Sequence, residues 1–220
     1  MAGNRRKFLG NVAALSAGGL FFPSALEAES PGPAPVSADW DLSWKERVAG
    51  DFRAVFDSPS VNDGVGLWRA ADWKRAVQTV YGEAGKGASA VLVIRHEAIP
   101  MVMNDAFWER HDVSKQDKIK DPSSGKHVKH NPFAARPDAP ENRRAFTLDG
   151  FIAGGGIVLA CNYAFGFLVS REAKKLKVEA AEAREAALAY LIPGVILQPS
   201  GFFAVIEAQR AGCHFFPASS

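Results

Sequence analysis

Short apolar runs alternate with amphipathic stretches along most of the chain. Runs of consecutive apolar residues predict strands at 52–56, 91–94, 157–160, 195–197 and 213–216. Apolar residues at three- and four-residue steps predict helices at 65–81, 99–108, 163–174, 177–191 and 201–211. Strands without polar alternation are typical of a parallel sheet that is covered on both faces. The pattern therefore predicts an α/β fold, a three-layer sandwich with a mainly parallel sheet of about five strands.

One long segment interrupts this alternation. Residues 112–149 contain four prolines, and neither a helical nor a strand period continues through them. Segments of this length inside a compact domain usually form lids, binding loops or disordered inserts. We expect a solvated surface excursion that closes over the carboxyl edge of the sheet. The insert belongs to a predicted domain at 51–220. A linker and N-terminal segment at 29–50 comes before this domain.

The first residues have the pattern of an export signal. Arg5, Arg6 and Lys7 precede an apolar run at 8–22, and small residues follow that run. Adjacent arginines at this position resemble the twin-arginine signal. The apolar run is shorter than the roughly 20 residues that a membrane-spanning helix needs. We therefore expect a cleaved signal peptide at 1–28, a periplasmic protein and no permanent membrane anchor.

Composition and charge restrict the class of partner. The chain of 220 residues has 47% hydrophobic and 23% charged residues, which is typical of a globular protein. Its formal net charge is only +2, so no nucleic-acid partner is expected. The two cysteines, Cys161 and Cys213, are too few for a disulfide scaffold or a cysteine zinc site.

Polar side chains follow the predicted strands where a ligand would bind, because open α/β sheets bind ligands beyond the carboxyl ends of their strands. These candidates are Arg95, His96, Glu97, Cys161, Asn162 and Ser200. A helix that begins near Asn162 would direct its unpaired amides toward Cys161 and favour the reactive thiolate. The alternative is a buried cysteine that fills the end of an apolar strand. His96, beside Glu97, is a candidate base, acid or metal ligand.

Metal and cofactor chemistry has little support in the sequence. His127 and His130 have a three-residue spacing but no partner cluster, so no metal site is expected. The three glycines at 154–156 precede a strand, whereas a phosphate-binding loop follows one. Ser200 lacks the flanking glycines of a hydrolase nucleophile. No cofactor is predicted.

The two cysteines are not expected to form a disulfide, even in an oxidising compartment. Cys161 ends a predicted strand, and Cys213 begins another. In a parallel sheet these positions lie at opposite edges, which separates them by more than the roughly 7 Å between Cα atoms that a disulfide tolerates.

Three stretches of the chain resemble the DsrE/DsrF-like family, which includes sulfur-relay subunits. They are the second strand with its turn at 91–103, the third strand at 156–162, and the closing strand, helix and strand at 191–217. The resemblance implies a flavodoxin-like sandwich that assembles into trimers or hexamers. It also implies that Cys161 accepts sulfur as a persulfide.

Two functions stay open at this point. The first is a periplasmic sulfur carrier or thiol-dependent sulfur transferase, in which Cys161 holds the sulfur and His96 assists proton transfer. The second is a non-catalytic oligomeric module that binds a small ligand or a partner at the same edge. Under either function the expected binding residues are Arg95, Glu97, Asn162 and Ser200.

Overall fold

A parallel sheet forms the centre of the domain. Within the residues that the computed structural model describes, 40–135 and 141–218, five strands pair in the order β4-β3-β2-β1-β5, all parallel. The strands are β1 Arg53–Ser58, β2 Ser89–Ile94, β3 Ile157–Cys161, β4 Val195–Gln198 and β5 His214–Pro217. The predicted parallel α/β sandwich of flavodoxin type is confirmed.

Helices cover both faces of this sheet. The α helices of the described ranges are α1 Val65–Tyr81, α2 Asp105–Arg110, α3 Val113–Gln116, α4 Glu141–Arg144, α5 Leu148–Ala153, α6 Asn162–Leu176, α7 Ala180–Leu188 and α8 Gly201–Arg210. Short 3-10 helices lie at Ser43–Arg47, Asn62–Gly64, Gly82–Gly87 and His96–Val102. Leu92 and Ile94 of β2 belong to the core that α1 and α6 cover. Val91 and Val93 face the other way and pack with Ala204 of α8. Burial on both faces explains why β2 has no polar alternation.

Three predicted helices are confirmed as α1, α6 and α8, and the predicted helix at 177–191 is shorter than expected. Lys177 has a left-handed backbone with φ 59°, and it ends α6. A new helix, α7, then begins at Ala180 and ends at Leu188. The sequence predicts a boundary between two helices at 174–177, and the structure starts the second of them three residues after Lys177.

The predicted helix at 99–108 is two separate elements. Pro100 lies inside the 3-10 helix His96–Val102 and has no N–H to donate to an α-helical ladder. Asn104 then caps α2, because its side chain accepts a hydrogen bond from the Phe107 N–H at 3.2 Å. The proline and the cap together explain why no continuous helix forms.

The domain begins earlier than the predicted boundary at Asp51. Trp44 is fully buried and packs with Val55 and Val91 on the α8 face of the sheet. Lys45 pairs with Glu207 of α8. The end of the predicted linker therefore supplies part of the core. The predicted signal peptide and linker residues 29–39 lie outside the described residues, among which no helix is long and apolar enough to cross a membrane.

The insert at 112–149 is not the solvated excursion that the sequence predicts. Its Phe133 is buried in the core beneath α1 and α6. Asn131 is fully buried, and its Nδ2 donates to the carbonyls of Met101 and Met103, both at 2.7 Å. Its Oδ1 accepts from the Phe133 N–H at 2.9 Å. Residues 122–127 are exposed, so the insert combines a core anchor with a surface loop.

Cys161 and Cys213 are both free and buried, as predicted. Cys161 is the last residue of β3, and Cys213 directly precedes β5. Strands β2 and β1 lie between β3 and β5 in the sheet. The two thiols are therefore separated both along and across the strands.

Replacement of Asn131 should destabilise the domain if the insert is anchored in the core. Asn131→Ala leaves the Met101 and Met103 carbonyls without their side-chain donor, which costs about 1–3 kcal/mol for each buried unpaired group. Denaturant unfolding measures the loss. Lys126→Ala, at an exposed position of the same insert, is the control and should change the free energy of unfolding by less than about 0.5 kcal/mol. Equal unfolding midpoints for the two variants would contradict the anchor.

Candidate functional site

Cys161 ends β3 and caps α6. Its Sγ accepts a hydrogen bond from the Ala164 N–H at 3.4 Å, so the first turn of α6 supplies the amide expected from the sequence. The residue is only 6% exposed and belongs to the apolar cluster that includes Ala160 and Phe165. The Cys161 sulfur therefore has one backbone donor from the start of α6, but it is nearly closed off from solvent.

Arg95 lies beside Cys161 and forms an ion pair across the ends of two strands. Its Nε and Nη2 donate to Oδ1 and Oδ2 of Asp57 at 2.7 and 2.8 Å. Its Cζ lies 4.7 Å from the ring centroid of Phe202. The hydrogen bonds to Asp57 are the main cause that raises the pKa of Arg95, and the nearby Cys161 adds to the increase. The structure thus brings Arg95 and Cys161 together.

Gly201 lies against the Arg95 side chain of this ion pair, where a side chain at position 201 would clash. A Cβ at position 201 would lie 2.4 Å from Cδ of Arg95 and 2.6 Å from its Cβ. Ser200, the residue before it, caps α8, because its Oγ accepts from the Phe203 N–H at 3.1 Å. Any larger residue at 201 would displace the Arg95 side chain.

Asn162 and Ser200 both have structural partners. The Asn162 Oδ1 accepts a hydrogen bond from Nη2 of Arg184 at 2.7 Å, which joins α6 to α7. Ser200 holds the first turn of α8. Contact of either side chain with a ligand stays a prediction.

His96 and Glu97 are exposed and line a separate cavity of about 640 Å³, which we call the loop cavity. Its other lining residues come from the loop after β1 at 60–63, the insert at 117–120, and α6. This volume lies within the roughly 300–1,000 Å³ typical of ligand pockets. The loop cavity lies at the carboxyl edge of β1 and β2, where a ligand is expected.

Cys161 is not among the described residues that line the loop cavity. The structure therefore divides the predicted site in two. Arg95 and Cys161 form one group at the end of the sheet, and His96 and Glu97 belong to the other. His96, next to Arg95 in sequence, is thus not the partner of the thiol in this conformation.

Unusual backbone conformations concentrate around the loop cavity. Six non-glycine residues in the described part of the chain have positive φ. Four of them line the cavity: Asn62 at 36°, Asp63 at 53°, His96 at 53° and Lys118 at 56°. Such conformations are uncommon outside glycine and tend to cluster at functional sites. The Asn-Asp-Gly stretch at 62–64 is a turn signal in the sequence, whereas nothing in the sequence marks Lys118.

A partly buried ion pair fastens the insert to α6, and two further contacts hold the residues just before the insert. Arg171 donates from Nη1 and Nη2 to Oδ2 and Oδ1 of Asp117 at 2.7 and 2.5 Å. Glu172, the residue after Arg171, is 1% exposed, and its Oε2 lies 2.5 Å from Nε2 of His111. Burial lowers the pKa of His111. Arg110 Nε donates to Oε1 of Glu172 at 3.1 Å. These contacts hold the start of the insert against the site.

Metal binding has no support in the side-chain arrangement. Among residues 40–135 and 141–218, no three His, Cys, Asp or Glu side chains are grouped to hold a metal ion. His127, one of the two histidines with three-residue spacing, lies 3.0 Å from the Ser114 Oγ through its Nδ1. The polar groups at the carboxyl edge are therefore considered as ligand-binding or thiol-stabilising groups.

No protein-family model, no curated protein and no solved structure matches this chain. The function consequently has to be inferred from the geometry of the two groups at the sheet edge.

Removal of Arg95 should destabilise the protein because it leaves the Asp57 carboxylate buried without its partner. Loss of one member of a buried pair costs up to about 3–5 kcal/mol, and we expect Arg95→Met to approach this range. Arg95→Met combined with Asp57→Asn should lose less than the sum of the single variants. Arg75→Met is the control, since its pair with Asp72 is exposed and is worth about 0–1 kcal/mol. Strictly additive losses in denaturant unfolding would show that Arg95 and Asp57 are not coupled.

Proposed function

We propose that this protein is an exported, DsrE-like α/β protein that binds a small polar molecule non-covalently in the loop cavity. The observation that carries the proposal is the concentration of left-handed, non-glycine backbone at one ligand-sized cavity on the carboxyl edge. Membership of the DsrE/DsrF-like family, export by the twin-arginine route and assembly into trimers or hexamers are parts of this proposal that rest on the sequence.

Backbone strain supports binding because strained conformations lower the stability of the fold and cluster at functional sites. Each residue held in a sparsely populated conformation costs on the order of 1–3 kcal/mol. His96 and Lys118 have neither the missing side chain of glycine nor the local hydrogen bonds that make this region tolerable for asparagine and aspartate. Both residues lie in hydrogen-bonded backbone: His96 begins a 3-10 helix, and the Lys118 N–H donates to the Lys115 carbonyl at 3.3 Å.

Burial of the thiol also favours non-covalent binding over thiol chemistry. Cys161 is 6% exposed and does not line the cavity, whereas His96 and Glu97 are exposed within it. A ligand can enter the loop cavity without any rearrangement of the Cys161 surroundings.

Filling the loop cavity should abolish binding. Glu97→Trp introduces a large side chain at an exposed lining position, and Glu185→Trp introduces the same side chain on the exposed surface of α7. Ligand-observed NMR with a library of charged, zwitterionic and neutral fragments identifies binders. We expect fragments that bind the wild type and Glu185→Trp but lose at least tenfold in affinity for Glu97→Trp. An absence of binders, or equal binding by both variants, would contradict the proposal.

A sulfur carrier is the second candidate, and the environment of Cys161 favours it. The Ala164 N–H donates a hydrogen bond to the Cys161 Sγ, and Arg95 lies close enough to Cys161 for the two groups to interact electrostatically. The thiolate would attack a sulfane sulfur, the bond from that sulfur to the donor would break, and the donor would leave with the electron pair. Attack by a second thiolate on the terminal sulfur of the persulfide would regenerate Cys161.

The carrier function predicts that sulfur is added to one cysteine only. Burial raises the pKa of the Cys213 thiol to about 11, so this thiol stays protonated near neutral pH and is a poor nucleophile. After exposure to thiosulfate or a persulfide donor, intact-mass analysis should show one added sulfur in Cys213→Ser and none in Cys161→Ser. If Cys213→Ser gains no sulfur, the carrier function is contradicted, and the binding proposal is unaffected.

A further inference from the structure

The loop cavity contains charges of both signs that do not neutralise each other. Asp63, Glu97, Lys118 and Lys120 all line it and are exposed. Within the described ranges, none of the four side chains forms an ion pair or a hydrogen bond. Opposite charges that share a cavity without contact leave space for a ligand that pairs with both.

The two signs come from different segments of the chain. Asp63 follows β1 and Glu97 follows β2, so both acids belong to the loops of the sheet edge. Lys118 and Lys120 belong to the insert, which the Asp117–Arg171 ion pair fastens to α6. The insert therefore adds a cationic wall to an edge whose own loops are acidic.

Backbone strain coincides with these charges. Asp63 and Lys118, one of each sign, have φ values of 53° and 56°, and His96 beside Glu97 has 53°. A left-handed backbone is uncommon for lysine in particular, whereas aspartate and histidine adopt it more often. The structure thus keeps charge-bearing residues in sparsely populated backbone conformations at the cavity, which fixes the direction in which each of these side chains leaves the backbone.

Apolar side chains complete the lining. Ile99, Pro100 and Leu168 line the cavity, and the ring of Phe167 is 62% exposed beside them. Exposed aromatic and aliphatic surface next to fixed charges suits a ligand with an apolar body and polar ends.

We infer that the loop cavity binds a zwitterion with an apolar body, of the size of an amino acid or a dipeptide. This inference rests on the proposed binding function. The carboxylate of the ligand pairs with Lys118 and Lys120, and its ammonium group pairs with Asp63 and Glu97. A purely anionic ligand would face the two carboxylates, and a purely cationic one would face the two ammonium groups, so a ligand with both charges fits best.

Three related peptides test the inference. Calorimetry measures the affinity of the full chain for leucyl-leucine, for its N-acetyl derivative, which lacks the ammonium group, and for its C-terminal amide, which lacks the carboxylate. We expect the wild type to bind the zwitterion at least tenfold more tightly than either derivative. Asp63→Asn with Glu97→Gln should remove the preference over the N-acetyl derivative. Lys118→Gln with Lys120→Gln should remove the preference over the amide.

Lys126→Gln with Lys129→Gln is the matched control, because both lysines lie on the insert outside the cavity lining. It should retain both preferences, and melting curves should show that all three double variants are folded. Equal affinity of the wild type for the three peptides would overturn the inference, as would preferences unchanged in both cavity variants. If fragments bind in the NMR experiment but none of the three peptides binds, only the inference of a zwitterionic ligand is overturned. An absence of any binder would overturn the proposed function as well.

Discussion

The ion pair between Arg95 and Asp57 closes the carboxyl end of the parallel sheet. It ties the ends of β1 and β2 together, and its position depends on Gly201 at the start of α8. Arg95 therefore lies toward α8, whereas His96, the next residue, lines a cavity with residues of α6. Since α8 and α6 cover opposite faces, the left-handed backbone of His96 occurs where the chain changes faces.

This change of face separates two kinds of chemistry along the same edge. Cys161 has the Ala164 amide as a donor and the Arg95 charge nearby, but little exposure. The loop cavity has exposure, volume and unpaired charge, but no thiol. Burial is the reason that we propose the loop cavity as the principal site, because a ligand has to reach a group before the chemistry of that group matters.

The insert links the core to the site. Asn131 anchors it through carbonyls of the segment after β2, and Asp117 anchors it to α6 through Arg171. Both anchors are buried or partly buried polar contacts. The exposed residues 122–127 between them can therefore vary in sequence while Lys118 and Lys120 keep their places in the cavity lining. The lysines of that wall are therefore held close to one of the anchors.

The sequence by itself determined the parallel sheet, the helix start whose amides face Cys161, and the separation of the two cysteines, because apolar runs and helix starts are local signals. Only the tertiary structure decided that Trp44 and Phe133 are core residues, since both lie in segments without a period and are buried by contacts distant in sequence. The same holds for the site. Position after a strand identified His96 and Glu97, but Lys118 and Lys120 enter the cavity through the Asp117–Arg171 pair, a contact over 54 residues that no local pattern encodes.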